Sequence, residues 1–187
     1  MKNSTYDMVL SAIGAAIIVI GSMISVTVMA VPFTLQTFAV FAVLMSIGGR
    51  RGSVSIVVYL LLGIVGLPVF AGFKGGPGVI LGPTGGFLLG FVFVGLIWWL
   101  IADKVMKIKE RQTWQRCVLK VMTAVICEVV MYAFGVVWFI TVYASQTGPV
   151  GLSSALAMCV IPFIVPDIVK IIFAVSVSEA CSKAVKD

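Results

Sequence analysis

From Tyr6 to Ala30 the chain is almost wholly apolar over about 25 residues, and about 20 such residues in a helix already cross a hydrocarbon core of about 30 Å. That segment decides the solvent. A cleavable leader would have a shorter apolar stretch and a more basic start, and the apolar segments that follow make a true span the better reading. The rest of the chain has the same character: 61% of its 187 residues are apolar and 11% charged, which places it among integral membrane proteins. The expectation is an all-α integral membrane protein in the lipid bilayer, one domain over residues 1–187.

Breaks in hydrophobicity divide the remainder. Val31 to Thr37 (VPFTLQT) is expected as an external turn or short lid, where proline stops the helix. Helix 2 is expected from about Phe38 to Ile47, short of a full span without help from the turn, and Gly48 to Gly52, with Arg50 and Arg51, ends it in a tight basic turn. Helix 3 follows from Ser53 to about Leu67, stopping at Pro68, and helix 4 from about Gly85 to Ile101. Asp103 to Arg116 is the one long hydrophilic stretch and reads as an interfacial, partly helical segment. Helix 5 is expected over Cys117 to about Tyr143, with a turn at Ala144 to Gly151. Proline is welcome in a first helical turn, so Pro166 is expected to begin a last span reaching Ala184, with Leu152 to Val165 a broken approach to it. A compact bundle of six transmembrane helices with ordered external loops results.

Positive charge supports that count. With the N-terminus inside, Lys2, Arg50, Arg51, the basic residues from Lys104 to Lys120, Lys183 and Lys186 are cytoplasmic, and Lys74 alone sits in an external loop. Both termini are then cytoplasmic. The net charge of +6 reflects this bias and not nucleic acid, because the basic residues lie along short polar segments and not on one face. The same topology brings VPFTLQT, the turn after helix 5 and Pro166-Asp167 to the outer side, together with the glycine-rich run Gly72 to Phe91. That run holds eight glycines and two prolines and cannot make a stable helix. Irregular backbone near membrane depth belongs where it is buried in protein or lines a polar cavity, so this run is either a ligand-holding loop or a plain connector.

Asp167 and Lys170, three apart in an apolar helix, share a face. Charges inside a span usually turn toward a cavity, and together they suit a small molecule with donor and acceptor groups; the bland alternative is mutual neutralisation. Glu128, Tyr132, Phe139 and Tyr143 lie on roughly one face of helix 5. Tyr143, near the outer end, is a candidate to offer its hydroxyl; Tyr132 and Phe139 suit the core, and Glu128 suits packing or a buried pair. Ala12 and Ala16, with Gly14 beside them, form a small-xxx-small spacing that serves packing in the bundle or docking of a partner. Trp98, Trp99, Trp114 and Trp138 are expected in the headgroup belt.

Several chemistries are excluded. The chain has no histidine, so zinc sites and His-assisted hydrolysis are not expected, and its four cysteines read as packing residues. No G-x-x-x-x-G-K-[ST] run occurs, so the chain itself does not bind ATP for hydrolysis. No metal and no cofactor is expected.

GPGVILGPTGGFLLGF, preceded by VPFTLQT and followed by VPDIVK, resembles the BioY family, the biotin-specific substrate-binding S components of energy-coupling factor (ECF) transporters. The three motifs run in the right order over nearly the whole chain. The resemblance implies a six-helix bundle that takes biotin from outside and works with a transmembrane coupling subunit and two cytoplasmic ATPases. It implies a binding region at Thr34, Leu35 and Gln36, at Gly82, Pro83, Thr84, Gly85 and Gly86, and at Tyr143, Asp167 and Lys170. Asp167 would accept from the ureido group, and Lys170 would meet a polar oxygen at either end of the ligand. In such families small residues of helix 1 meet the coupling subunit, which adds weight to Ala12 and Ala16 as a docking surface. Phe87 stands where many relatives have tyrosine. The alternative is a stand-alone facilitator or ion-coupled carrier of a small carboxylated solute, which inverted repeats would favour; none is clear here. An intramembrane enzyme using Asp167 and Glu128 is weaker still, since the carboxylates lie on different helices at different depths.

Overall fold

The computed structural model describes residues 4–26, 31–102, 113–148 and 150–184. Its helices are α1 (Ser4–Met23), α2 (Gln36–Ile47), α3 (Gly49–Val65), the single turn α4 (Pro77–Ile80), α5 (Gly85–Ile97), α6 (Thr113–Thr147), α7 (Leu152–Cys159) and α8 (Ile161–Ala184). Two short strands, β1 (Ser25–Val26) and β2 (Phe33–Thr34), pair antiparallel with Val26 opposite Phe33.

Apolar side chains are on both faces of most helices, so the hydrophobic pattern does not select the packed face; small residues do. A Cβ added at Gly14 would meet Val43 Cγ1 at 3.0 Å, and one at Gly21 would meet Ala39 Cβ at 2.6 Å, so these glycines seat α1 against α2 and its neighbours. Ser55 of α3 donates to the Ser11 carbonyl of α1 at 2.9 Å. The α5–α6 seam is built likewise: Gly86 lies against the Trp138 side chain, Gly90 against Met131 and Gly135 against the Phe87 ring. In the centre, Phe41, Leu44, Tyr59, Phe70, Val94, Trp98 and Ile171 are buried together. A smaller cluster of Val136, Phe139, Ala155 and Cys159 joins upper α6 to α7.

Several expectations change. The first helix stops at Met23, and Ser25–Val26 turns to pair with Phe33–Thr34, because strand pairing gives partners to backbone groups that the broken helix leaves open; Thr27 to Ala30 lie outside the described residues. The basic turn shrinks to Gly48, whose φ of 87° only glycine adopts readily, and Arg50 to Gly52 belong to the first turn of α3. Arg51 ties that turn to α1 through Asp7, 2.7 Å from its Nε. Helix 5 is longer than expected, with Ala144 to Thr147 continuing α6. Pro166 sits inside α8, which begins at Ile161; Pro162 takes the first-turn position, and the break falls at Val160 with φ −125° and ψ −58°. Trp98 is fully buried edge-on to Phe41 at 6.2 Å and not in a headgroup belt, because α5 ends in a π-helical stretch, Trp98–Ala102, that points it inward. Trp138 is also a structural group, donating from Nε1 to the Gly82 carbonyl at 3.0 Å.

By length and hydropathy three stretches, Ser4–Met23, Trp114–Ser145 and Leu152–Ala184, suffice to cross a membrane, while Gln36–Ile47 and Gly85–Ile101 are shorter apolar helices. Thus three described stretches, not six, meet that criterion: α2 stops after 12 residues at Gly48, and α5 starts only at Gly85, after the glycine-rich loop. Of the expected interfacial segment, residues 103–112 lie outside the described residues, as do Lys2 and Lys186 of the charge argument; Thr113 to Arg116 open α6.

Candidate functional site

Where β2, the loops after α3 and α4, and α5 to α8 converge, they enclose a cavity of about 300 Å³, at the lower end of the range for small-molecule sites. Its polar groups come from three places. Thr34 Oγ1 accepts from the Gln36 amide at 3.2 Å, a local turn that starts α2 and puts Gln36 and Thr37 on the wall. Gln36 is 4% exposed, and its Nε2 has no hydrogen-bond partner among the described residues. A tight turn closed by Phe70 and Lys74, with Gly72 and Phe73 at positive φ, brings Lys74 to the cavity.

The third place is α8. Asp167 and Lys170 are buried one turn apart, and Lys170 Nζ donates to Asp167 Oδ1 at 2.8 Å. Tyr132 of α6 donates its hydroxyl to Asp167 Oδ2 at 2.5 Å. The Lys170 ammonium lies 4.4 Å from the centroid of the Phe33 ring, which stacks on Phe163 at 5.5 Å. A buried ion pair is tolerable only when its remaining valences are met; here tyrosine and an aromatic face meet part of them. The remaining wall is apolar, chiefly Phe87, Leu88, Phe91, Met131 and Phe163. Such a site holds a molecule with a compact polar head and an apolar body.

Of the residues expected at a site, Thr34, Gln36, Pro83, Thr84, Asp167 and Lys170 line the cavity. Leu35, Gly82, Gly85, Gly86 and Tyr143 do not. Leu35 precedes α2 and its amide donates to the Ile24 carbonyl at 3.1 Å. A Cβ on Gly85 would overlap the Ile80 carbonyl, and Gly86 is pressed on Trp138, so these glycines close the loop that holds Pro83 and Thr84 at the wall. Tyr143 stacks on Phe139 at 4.7 Å in the smaller cluster. Tyr132, expected as core, and Lys74, expected only as a loop charge, both reach the cavity. The spacing of Tyr132 from Glu128 and Phe139 marked its face but not what that face meets. Ala12 and Ala16 are exposed on α1, opposite the packed Gly14, Ala15 and Ile18.

The chain matches the BioY family over residues 1–187. It is 34% identical over 177 residues to "Biotin transporter BioY" of Thermotoga maritima, covering 95% of this chain and 96% of that one. It is 37% identical over 170 residues to "Probable biotin transporter BioY" of Pyrococcus horikoshii, covering 91% and 92%. Its fold matches the crystal structure of the S-component for biotin from an ECF-type ABC transporter with a TM-score of 0.78 at 24% identity, covering 98% of this chain and 95% of that one.

Proposed function

The chain belongs to the BioY family, and we infer that it is a biotin-binding membrane subunit of an ECF-type vitamin importer, not an enzyme. The observation that carries this reading is the cavity in which Gln36, Asp167 and Lys170 offer an amide donor, a carboxylate and an ammonium beside an aromatic wall. Biotin has matching parts: a ureido ring with two N–H donors and a carbonyl, an apolar thioether ring, and a carboxylate on an apolar tail. Asp167 accepts from the ureido N–H groups, and Lys170 meets a ligand oxygen. Thr34 and Thr84 add hydroxyl groups to the wall.

Biotin enters from outside, both termini are cytoplasmic, and a transmembrane coupling subunit with two cytoplasmic ATPases supplies the energy. The exposed Ala12 and Ala16 on α1 give the coupling subunit a surface for close helix approach.

The test is equilibrium binding of radiolabelled biotin to the purified protein in detergent, with thiamine and riboflavin as competitors and Asp167→Asn alongside. Tight, biotin-selective binding that the variant loses supports the reading. No binding by well-folded wild-type protein overturns it.

A further inference from the structure

Beside the ligand cavity, α6, α7 and α8 leave an open groove of about 590 Å³, lined mainly by aliphatic side chains such as Val129, Val136, Leu156 and Ile168, with Val129 and Ile168 exposed. Tyr132 and Asp167 line both and form the partition between them, and Glu128 lines the groove beside them. Glu128 is 5% exposed, and neither carboxyl oxygen has a hydrogen-bond partner among the described residues. Glu128 shares the groove wall with Tyr132 and Asp167, and the charges of Asp167 and Lys170 act on its carboxyl. Of its neighbours, Tyr132 gives its proton to Asp167 Oδ2, and Lys170 donates to Asp167 Oδ1.

The charges at this partition do not balance. Ionised Glu128 and Asp167 carry two negative charges against one positive charge on Lys170. Cys127 on α6 is the other titratable neighbour, and α2, α5 and α7 contain no charged residue to compensate. Two neighbouring carboxyl groups, both buried, favour sharing a proton, because two like charges are costly to hold together away from water. With that proton Glu128 becomes a donor to Asp167, its orphaned oxygen gains a partner, and the cluster is neutral.

We propose that Glu128 and Asp167 form a proton-binding site, and that the proton is a co-ligand of the solute cavity, taken up as biotin binds and released as biotin leaves. This rests on the biotin reading above. The ligand displaces water from Asp167 and Lys170, so an unbalanced negative charge becomes harder to hold, and a ligand carboxylate reaching Lys170 strengthens the effect. The proton comes from water at the cavity mouth, forms the Glu128 O–H bond, and returns to water on release. No other bond changes.

Two measurements on the full chain in detergent test this. The first is the biotin dissociation constant against pH for wild type and Glu128→Gln, whose amide mimics the neutral acid. On the alkaline side wild-type affinity weakens by up to about tenfold per pH unit, the slope for one linked proton, while Glu128→Gln binds at least as tightly as wild type at its best and lacks that slope. Any slope from Lys74 or Lys170 persists in the variant, so the difference isolates Glu128. The second is infrared difference spectroscopy of the carboxylic-acid carbonyl stretch, present in wild type at mildly acidic pH, extended to higher pH by biotin, and lost in Glu128→Gln. A wild-type affinity flat in pH with no such band overturns the proposal, as does a Glu128→Gln variant that keeps the full wild-type slope. If folded wild type binds no biotin at any pH, the ligand reading fails, and the infrared band in the free protein still decides the proton site. If the variant does not fold, the carboxylic-acid band of the wild type decides it: a band that biotin extends to higher pH supports the proposal, and its absence overturns it.

Discussion

Removing the charge of Asp167 separates its two roles, holding Lys170 and holding ligand. The side chains of Lys170 and Asp167 are 8% and 5% exposed, with Nζ and Oδ1 2.8 Å apart. Asp167→Asn keeps the shape and takes from the buried ammonium its hydrogen-bonded counter-charge, which costs up to about 3–5 kcal/mol when one partner of a buried pair is removed, less what Glu128 returns by giving up the shared proton. For a protein of this length that lowers Tm by on the order of 10 °C. Lys170→Met leaves the carboxylate without a cation instead, with Tyr132 still donating to it, and is expected to lose a similar amount. In the double variant Asp167→Asn/Lys170→Met no buried charge of the pair is left, so stability returns to within about 1–2 kcal/mol of wild type, since well-packed neutral replacements of buried pairs are often near-neutral. Biotin binding does not return. Its loss in Asp167→Asn is roughly tenfold to a hundredfold, the range for one hydrogen bond to a charged group. Thermal unfolding in detergent and labelled-biotin binding on the same preparations read both quantities. Single-variant losses that simply add in the double variant refute the coupling. A double variant that binds like wild type refutes the placement of ligand on this pair.

The same structure gives three further expectations. Glu179→Gln takes the counter-charge from Lys120, whose Nζ lies 2.6 Å from Glu179 and 2.9 Å from Ser178; because Glu179 is partly exposed, the loss is about 1–3 kcal/mol in thermal unfolding with biotin affinity unchanged. Gly86→Ala forces a methyl into the Trp138 side chain and is expected to cost about 1–3 kcal/mol by overpacking, with the Trp138 fluorescence shifted as its bond to Gly82 is disturbed. Ala16→Trp fills the exposed face of α1, and is expected to abolish co-purification with the coupling subunit while leaving biotin binding intact.

How far the sequence could be read depended on how local each interaction is. The length and apolarity of the Tyr6 stretch decide the membrane setting without reference to any partner segment, and the three-residue spacing of Asp167 and Lys170 puts them on one helical face whatever that face meets. Glycine and proline density after α3 likewise excludes a long helix there. Other features involve contacts between segments distant in sequence. Tyr132 reaches Asp167 across 35 positions, and only the rotation of α6 against α8 turns it toward the ligand wall while Tyr143 turns to Phe139. Gly82, Gly85 and Gly86 looked like ligand-holding backbone, but their neighbours in space, Trp138 and the Ile80 carbonyl, make them packing positions. Lys74 comes to the cavity through a turn at positive φ that its sequence permits without demanding. In an apolar chain nearly every helical face is greasy, so hydrophobic pattern cannot say which face packs. Chain length, charge and spacing determined that this protein is a membrane bundle with an acid–base pair in its last helix; the close fit of glycines against side chains, which exists only in three dimensions, decided what surrounds that pair.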